Sequence, residues 1–284
     1  RAGVLAAKGT SHLLSPYKGK TLGTIVARFF SNHMLGIDKD YTGYLNYYEG
    51  MILAVSILTV FAVSYFIVKK STRVKALVLT VFLVFLTIMP LTSRILVFTK
   101  HSYRWTFMIC FVEALVIGCF LQDVFREKNR KTVLAGSILA IVICGGLLAW
   151  MYSFKNIKPD HKVTAGVIGF LAVYLILFAV GTSVKKMYRI FPAAVLLVLI
   201  CELFVLDYPS LWHRESPTRN QVATEYYNDG TKEAVAMLKE QDDSVYRIEK
   251  SYTSASENDG MSQGYNGLSV YMSTNPASLV AYHK

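Results

Sequence analysis

Residues 163–182, VTAGVIGFLAVYLILFAVGT, run for twenty positions without one charged side chain. An α-helix rises about 1.5 Å per residue, so such a stretch covers roughly 30 Å, the thickness of the hydrocarbon core of a bilayer. Five further apolar stretches of similar length occupy residues 50–68, 74–91, 105–122, 132–150 and 190–208. The sequence therefore predicts an all-α polytopic membrane protein with six transmembrane helices.

The composition agrees with a membrane protein. Of the 284 residues, 53% are hydrophobic and only 17% are charged, which is more apolar than a soluble domain of this length requires. The net charge of +11 would also suit a nucleic-acid-binding protein. Here, however, the basic residues lie in short loops between the apolar stretches, where they orient a membrane protein. We therefore expect contacts with membrane lipid and no nucleic-acid partner.

The basic residues are divided unevenly between the two sides of the membrane. Loops 69–75, 123–131 and 183–189 hold four, four and three Lys or Arg residues, which makes eleven. Loops 92–104 and 151–162 hold three each, which makes six. Cytoplasmic loops carry the excess of Lys and Arg in membrane proteins. The first set of loops is therefore expected in the cytoplasm, and both ends of the chain are then extracytoplasmic.

The spans divide the chain into three parts. Residues 1–48 are expected to form an extracytoplasmic loop, in which the apolar run 24–30 is too short to span and suits the membrane interface. Residues 49–208 form the six-helix transmembrane region, and residues 209–284 form an extracytoplasmic soluble domain. Since the chain begins without Met or a signal peptide, we expect it to be an internal piece of a longer protein, with its last domain truncated.

The soluble domain has the pattern of a small α+β fold. Residues 231–241 have helical periodicity, and Asp229 or Thr231 can cap the helix. Residues 244–250 and 268–273 alternate in the manner of strands, and the polar stretch between them is typical of a loop.

The loop 92–104 is the main candidate for a binding site. It carries Arg94, Lys100, His101 and Arg104 on the side of the membrane that is usually poor in cations. Arginine holds phosphate through two parallel hydrogen bonds, and lysine adds a point charge. The cluster predicts a site for a lipid-linked phosphate. The alternative is that these side chains reach ordinary phospholipid headgroups and bind nothing specific.

Three glutamates lie in or beside the spans and are candidates for a cavity or an acceptor site. Glu113 falls near the middle of the third span, where a carboxylate should face the interior of the bundle, be protonated or pair with a cation. Glu202, in the last span, approaches the outer face. Glu113 either lines a substrate cavity or ties helices together. Glu49, at the mouth of the first span, is either a base or a charged anchor at the interface.

Asp38 and Asp40 are candidates for a divalent metal ion. They are separated by one residue, which is the spacing at which two carboxylates share a cation. Such short matches are frequent in loops, and a solvated pair is the alternative. No P-loop, Gly-rich dinucleotide turn or nucleophile elbow is present in the sequence, so an ATPase or serine hydrolase is not expected from these residues.

Several stretches together resemble the YfhO family of bacterial polytopic membrane proteins. In chain order these stretches are RFFSNHMLG at 28–36, GYLNYYEGMIL at 43–53, SYRWTFMICF at 102–111, ELFVLDY at 202–208, VYRIEK at 245–250 and ENDGMSQGYNGLSVYMS at 257–273. The resemblance runs through nearly the whole chain, and it rests on the order of the stretches more than on any one of them.

The resemblance implies an enzyme of the GT-C class of membrane glycosyltransferases. Such enzymes move a sugar from a polyprenyl-phosphate carrier to an acceptor on the outer face of the bacterial cell membrane. In this family the acceptor is a cell-surface glycopolymer such as lipoteichoic acid. The catalytic acid of GT-C enzymes lies in the first outer loop, which would precede these residues, so none of them is assigned as catalytic. Arg104, with Arg94 or Lys100, would then contact the phosphate of the donor.

Two other functions stay open at this point. A flippase or transport module would move the lipid-linked sugar without forming a bond, and broken helices with deep polar residues would indicate it. A structural scaffold would only hold the outer domain in place.

Overall fold

The computed structural model describes residues 15–44, 52, 55–97, 103–127, 129–183, 190–209, 218–225, 228–252 and 259–267, the side chains of Asp38, Val97 and Glu127 excepted. The chain forms two compact units, with the division after residue 214. The helices of the first unit are α1 (Gly19–Arg28), α2 (Leu58–Val68), α3 (Arg73–Ile88), α4 (Pro90–Val97), α5 (Phe107–Glu127), α6 (Arg130–Ser153), α7 (His161–Gly181) and α8 (Phe191–Leu206). Two 3-10 turns, Asp38–Asp40 and Arg104–Thr106, complete the unit.

Each of the six apolar stretches contains a helix, but the prediction of six spanning helices is not supported. Among the described residues, three helices are long and apolar enough to cross a membrane: α5, α6 and α7. A fourth span is obtained if α3 and α4, which meet at an angle of 83°, are counted together. Helices α2 and α8 have 11 and 16 residues, so they reach only about 16 and 24 Å.

Helix α2 begins at Leu58, so the described residues 55–57 of the predicted span 50–68 lie before it. Ser56 and Ile57 precede the helix and bond to a side chain from a distant helix, that of Glu202. Helix α2 is nonetheless central, since it packs against α3, α5 and, most extensively, α6. Its mean hydropathy is high all round, as expected for a helix enclosed by others.

The N-terminal segment is part of the bundle. The sequence places the run 24–30 at the membrane interface, whereas the structure buries it. Helix α1 packs against α6 and α3, and Ala27, Phe30 and Met34 are fully buried in the same core as Leu58 of α2. The segment therefore occupies space beside the start of the short central helix.

The second unit is helical among its described residues and not α+β. It contains α9 (Arg219–Thr224), α10 (Thr231–Gln241) and α11 (Asp259–Gln263). Helix α10 has the predicted bounds, and Asp229 accepts a hydrogen bond from the Thr231 N–H at 3.1 Å, as expected of a cap. The predicted strand 244–250 is reduced to one isolated bridge between Ile248 and Gly267. Residues 268–273 lie outside the described part of the chain.

Lys250 joins the separate pieces of this second unit. Its side chain is 9% exposed and lies 2.9 Å from Asp259 and 4.0 Å from Asp229. The amine also donates to Gln263 at 2.9 Å. Burial by itself lowers the pKa of Lys250, but the hydrogen bond and negative charge of Asp259 outweigh it and raise the pKa above its ordinary 10.5. The contact therefore stabilises the folded unit below pH 10.5 and is lost as the pH rises through the raised pKa.

Lys250→Met should consequently destabilise this unit at neutral pH, because two carboxylates lose their cation. Hydrogen exchange of the intact chain should become faster in α11. Lys239→Met is the matched control, since Lys239 is exposed and, within the described residues, donates to the Gly264 carbonyl at 2.8 Å and to no carboxylate. Equal protection of α11 in both variants would contradict this role of Lys250.

Gly136 allows α6 to approach the central helix closely. A Cβ atom at this position would lie 2.8 Å from the Tyr65 Cα and 2.9 Å from the Tyr65 N, both of them backbone atoms. A side chain at this position would therefore force the two helices apart. The small-residue pattern of this span predicts close packing, and Gly136 provides it, whereas Gly145 and Gly146 have nothing within 4 Å.

Gly136→Ala should therefore lower the stability of the purified protein by about 1–3 kcal/mol, the usual cost of overpacking a core. Gly145→Ala places the same methyl group on the same helix in open space, and it should be neutral or stabilising because alanine favours the helix. Thermal unfolding in detergent measures both variants. A loss of the same size at Gly145 would contradict the packing argument.

Candidate functional site

The start of helix α2 lies inside the bundle and is capped by residues far away in the sequence. Ile57, the residue before the helix, has no side chain that can accept a hydrogen bond. The first N–H groups of a helix have no partner within it and need outside acceptors. Here the N–H groups of Val55, Ile57 and Leu58 all have side-chain acceptors.

Glu202, on helix α8, provides most of this cap. Its Oε1 accepts from the Ile57 N–H at 2.6 Å, and its Oε2 accepts from the Ser56 hydroxyl at 2.5 Å and the Tyr174 hydroxyl at 2.6 Å. Ser56 in turn accepts from the Leu58 N–H at 2.8 Å. Glu202 is 2% exposed, so a carboxylate in the interior is matched by three donors.

Glu113, on helix α5, is the second carboxylate at this position. It is also 2% exposed, and its Oε2 accepts from the Val55 N–H at 3.3 Å. Two carboxylates from different helices thus face the positive end of the α2 dipole, where negative charge is favourable. We call Ser56, Glu113, Tyr174 and Glu202 the capping cluster. In this arrangement Glu113 joins helices, which was one of its two predicted roles.

The capping cluster lies deep in the bundle. Lys69 follows the opposite end of α2 and forms an ion pair with Asp123 at 2.7 Å. The start of the eleven-residue helix is therefore about 16 Å from this pair, close to half the thickness of a bilayer. Deep polar groups at the end of a half-length helix are also found in transporters.

The two described members of the cation cluster, Arg94 and Arg104, lie on elements that pack together. Helix α4 bears Arg94 and contacts the 3-10 turn that bears Arg104. Both arginine side chains are exposed. Tyr103, beside Arg104, and Ile52 belong to one apolar cluster, so this region lies on the side of the bundle from which the chain enters α2. Lys100 and His101 lie outside the described residues.

The other predicted site residues are Asp38, Asp40 and Glu49, and the structure describes them only in part. Asp38 and Asp40 share a 3-10 turn in which Asp40 is exposed, and the structure does not describe the Asp38 side chain. Within the described residues, no group of three or more His, Cys, Asp or Glu side chains could hold a metal ion. The pair stays a prediction for a divalent metal. Glu49 lies outside the described part of the chain.

Residues 13–283 match the family described as bacterial membrane protein YfhO. The chain belongs to this family. No curated protein and no solved structure matches it. The family and the apolar helices together make this a multi-pass membrane protein.

Sequence reasoning missed several polar residues of this YfhO family member that the structure buries. Ser56 and Tyr174 complete the capping cluster, and Arg28 is 2% exposed at the end of α1. Ser31 donates to the Leu206 carbonyl at 2.8 Å and lies 3.0 Å from the His33 Nδ1, so the N-terminal segment holds the end of α8. Arg28 interrupts an apolar run, which is a signal for burial with partners. Ser56 and Tyr174 carry no such signal, because both are common in membrane helices.

The capping cluster predicts unequal effects for its two carboxylates. Glu202→Ala should lower the stability by at least about 3 kcal/mol, because three buried donors lose their acceptor and each costs roughly 1–3 kcal/mol. Glu113→Gln should cost less than about 1 kcal/mol, because an amide oxygen can still accept from one N–H group. Thermal unfolding in detergent tests this order. Equal losses in the two variants would show that Glu202 does not hold the start of α2.

Proposed function

We propose that the chain is part of a membrane glycosyltransferase that moves a sugar from a polyprenyl-phosphate carrier to a cell-surface glycopolymer on the outer face of the membrane. Membership of the YfhO family supports an activity of this class. The acceptor would be a polymer such as lipoteichoic acid. The end of the bundle that carries Arg94 and Arg104 would face outward, as would both ends of this chain.

The observation that carries the proposal is the packing of α4 against the 3-10 turn Arg104–Thr106. It brings two exposed arginine-bearing elements together at one end of the bundle. Guanidinium groups bind phosphate oxygens through charge-assisted hydrogen bonds. A lipid phosphate lying at the membrane surface can therefore be held between them.

The same two arginines can assist the transfer step. When the bond between sugar and phosphate breaks, negative charge develops on the departing phosphate. Cations already in place stabilise this charge more in the transition state than in the bound donor. The general base that activates the acceptor is not assigned to these residues. Glu113 and Glu202 are engaged with backbone N–H groups, which supports a role in holding the site rather than in proton transfer.

One observation favours the alternative of a flippase or transport module. The chain contains a helix that begins deep in the bundle and a helix pair bent by 83°, and transporters place their binding sites at such breaks. A transporter would move the lipid-linked sugar across the bilayer unchanged. The two functions therefore differ in whether a new glycosidic bond is formed.

Arg104→Gln in the intact membrane protein should reduce sugar transfer by roughly tenfold or more, because each loss of about 1.4 kcal/mol in the transition state is tenfold in rate. The measurement follows label from a polyprenyl-phosphate sugar into extracted surface polymer. Arg126→Gln is the matched control, since Arg126 is an exposed arginine on the last turn of α5. Unchanged transfer with Arg104→Gln would refute the phosphate site. Movement of the lipid across the bilayer without labelled polymer would support the transporter.

A further inference from the structure

The sharp bend between α3 and α4 leaves backbone carbonyls that the helix cannot satisfy. Pro90 has no N–H group, and the Met89 N–H still bonds to the Phe85 carbonyl at 3.2 Å. The next carbonyls receive donors from elsewhere. Thr87 accepts from the Tyr103 hydroxyl at 2.7 Å, and Ile88 accepts from the Tyr17 N–H at 3.0 Å.

Tyr103 connects this bend to the turn that carries Arg104. We call Arg94 and Arg104 the arginine pair. Its side chain is 3% exposed and contacts the rings of Tyr17 and Trp105, at centroid distances of 6.4 and 6.1 Å. Its backbone carbonyl accepts from the Thr106 N–H at 3.0 Å and so begins the turn that holds Arg104. One residue therefore links the last turn of α3, at the bend that leads into α4 and Arg94, to the turn that carries Arg104.

We propose that Tyr103 is a positioning residue whose hydroxyl sets Arg94 relative to Arg104 for binding the phosphate group of a membrane lipid. The inference rests on the proposed donor site and adds what determines its geometry. In a continuous helix the Thr87 carbonyl would accept from the Leu91 N–H, and the Tyr103 hydroxyl occupies this carbonyl instead. Without that bond the bend before α4 can change its angle, so Arg94 and Arg104 keep their charge but are no longer held relative to each other. Affinity that depends on geometry falls, whereas attraction that depends on charge alone does not.

The test compares Tyr103→Phe with the wild-type protein in detergent, and measures the binding of polyprenyl phosphate and of phosphatidylglycerol separately. Polyprenyl phosphate should bind roughly three- to tenfold more weakly, which is the range expected for one lost hydrogen bond. Attraction to phosphatidylglycerol should be unchanged. The KM for a polyprenyl-phosphate sugar should rise more than kcat falls.

Tyr152→Phe is the matched control. It removes a hydroxyl that lies 3.0 Å from the Thr164 Oγ1 and 3.3 Å from the His161 Nδ1, so the chemical change is the same at a different loop. This control should leave both affinities unchanged. If the loss of any such hydroxyl simply destabilised the protein, both lipid affinities would fall in Tyr103→Phe and in Tyr152→Phe alike.

A distance measurement tests the mechanism independently of binding. Spin labels at Val78 and Ile95, exposed residues of α3 and α4, should give a narrow distance distribution that broadens in Tyr103→Phe. An unchanged distribution together with unchanged affinity would overturn the inference. Equal weakening for both lipids would keep the positioning role but make the site one for general lipid phosphates. Failure of the wild-type protein to bind either lipid would instead refute the proposed donor site.

Discussion

The contact between Glu202 and the start of helix α2 is the constraint on which the rest of the bundle depends. A helix that begins inside the membrane region needs acceptors for its first N–H groups, and water is not available there. Glu202 provides two oxygens from a helix that follows 145 residues later. Helix α8 must therefore lie beside α2, with Tyr174 of α7 next to it. This one requirement brings three helices together.

The short central helix also explains the place of the N-terminal segment. Because α2 starts at Leu58, the bundle has room beside its buried end, and Phe30 and Met34 lie in that core. The same segment is held by the Asp160 N–H, which donates to the Met34 carbonyl at 2.7 Å. The space beside the buried start of α2 is thus filled by elements from several parts of the sequence. Tyr17, in this segment, further connects it to the bend between α3 and α4.

The long apolar helices were the part of the fold that the sequence could predict. The stretches 132–150 and 163–182 contain α6 and α7 nearly as expected, because a long apolar run has few alternatives to a helix. In the stretch 50–68 the helix begins only at Leu58, and the sequence did not predict this start because Glu202, which caps it, lies 145 residues away. The strand at 244–250 failed for a related reason, because Lys250 draws that segment toward Asp259 and its pairing is limited to one bridge. In the candidate site, Arg94 and Arg104 were predicted from charge and stay predictions. Tyr103 was missed because its role depends on the Thr87 carbonyl, sixteen residues earlier, which the break between α3 and α4 leaves open.

In the proposed function, the end of the bundle with Arg94 and Arg104 faces outward, where a lipid-linked donor can be used. Labelling of single cysteines by a membrane-impermeant maleimide in intact cells tests it most directly. In a cysteine-free background, Asn156→Cys and Ser71→Cys place thiols on exposed turns of opposite predicted sides. We predict that Asn156→Cys reacts in intact cells and that Ser71→Cys reacts only after the membrane is opened. The reverse pattern would contradict this orientation, because Arg94 and Arg104 would then face the cytoplasm.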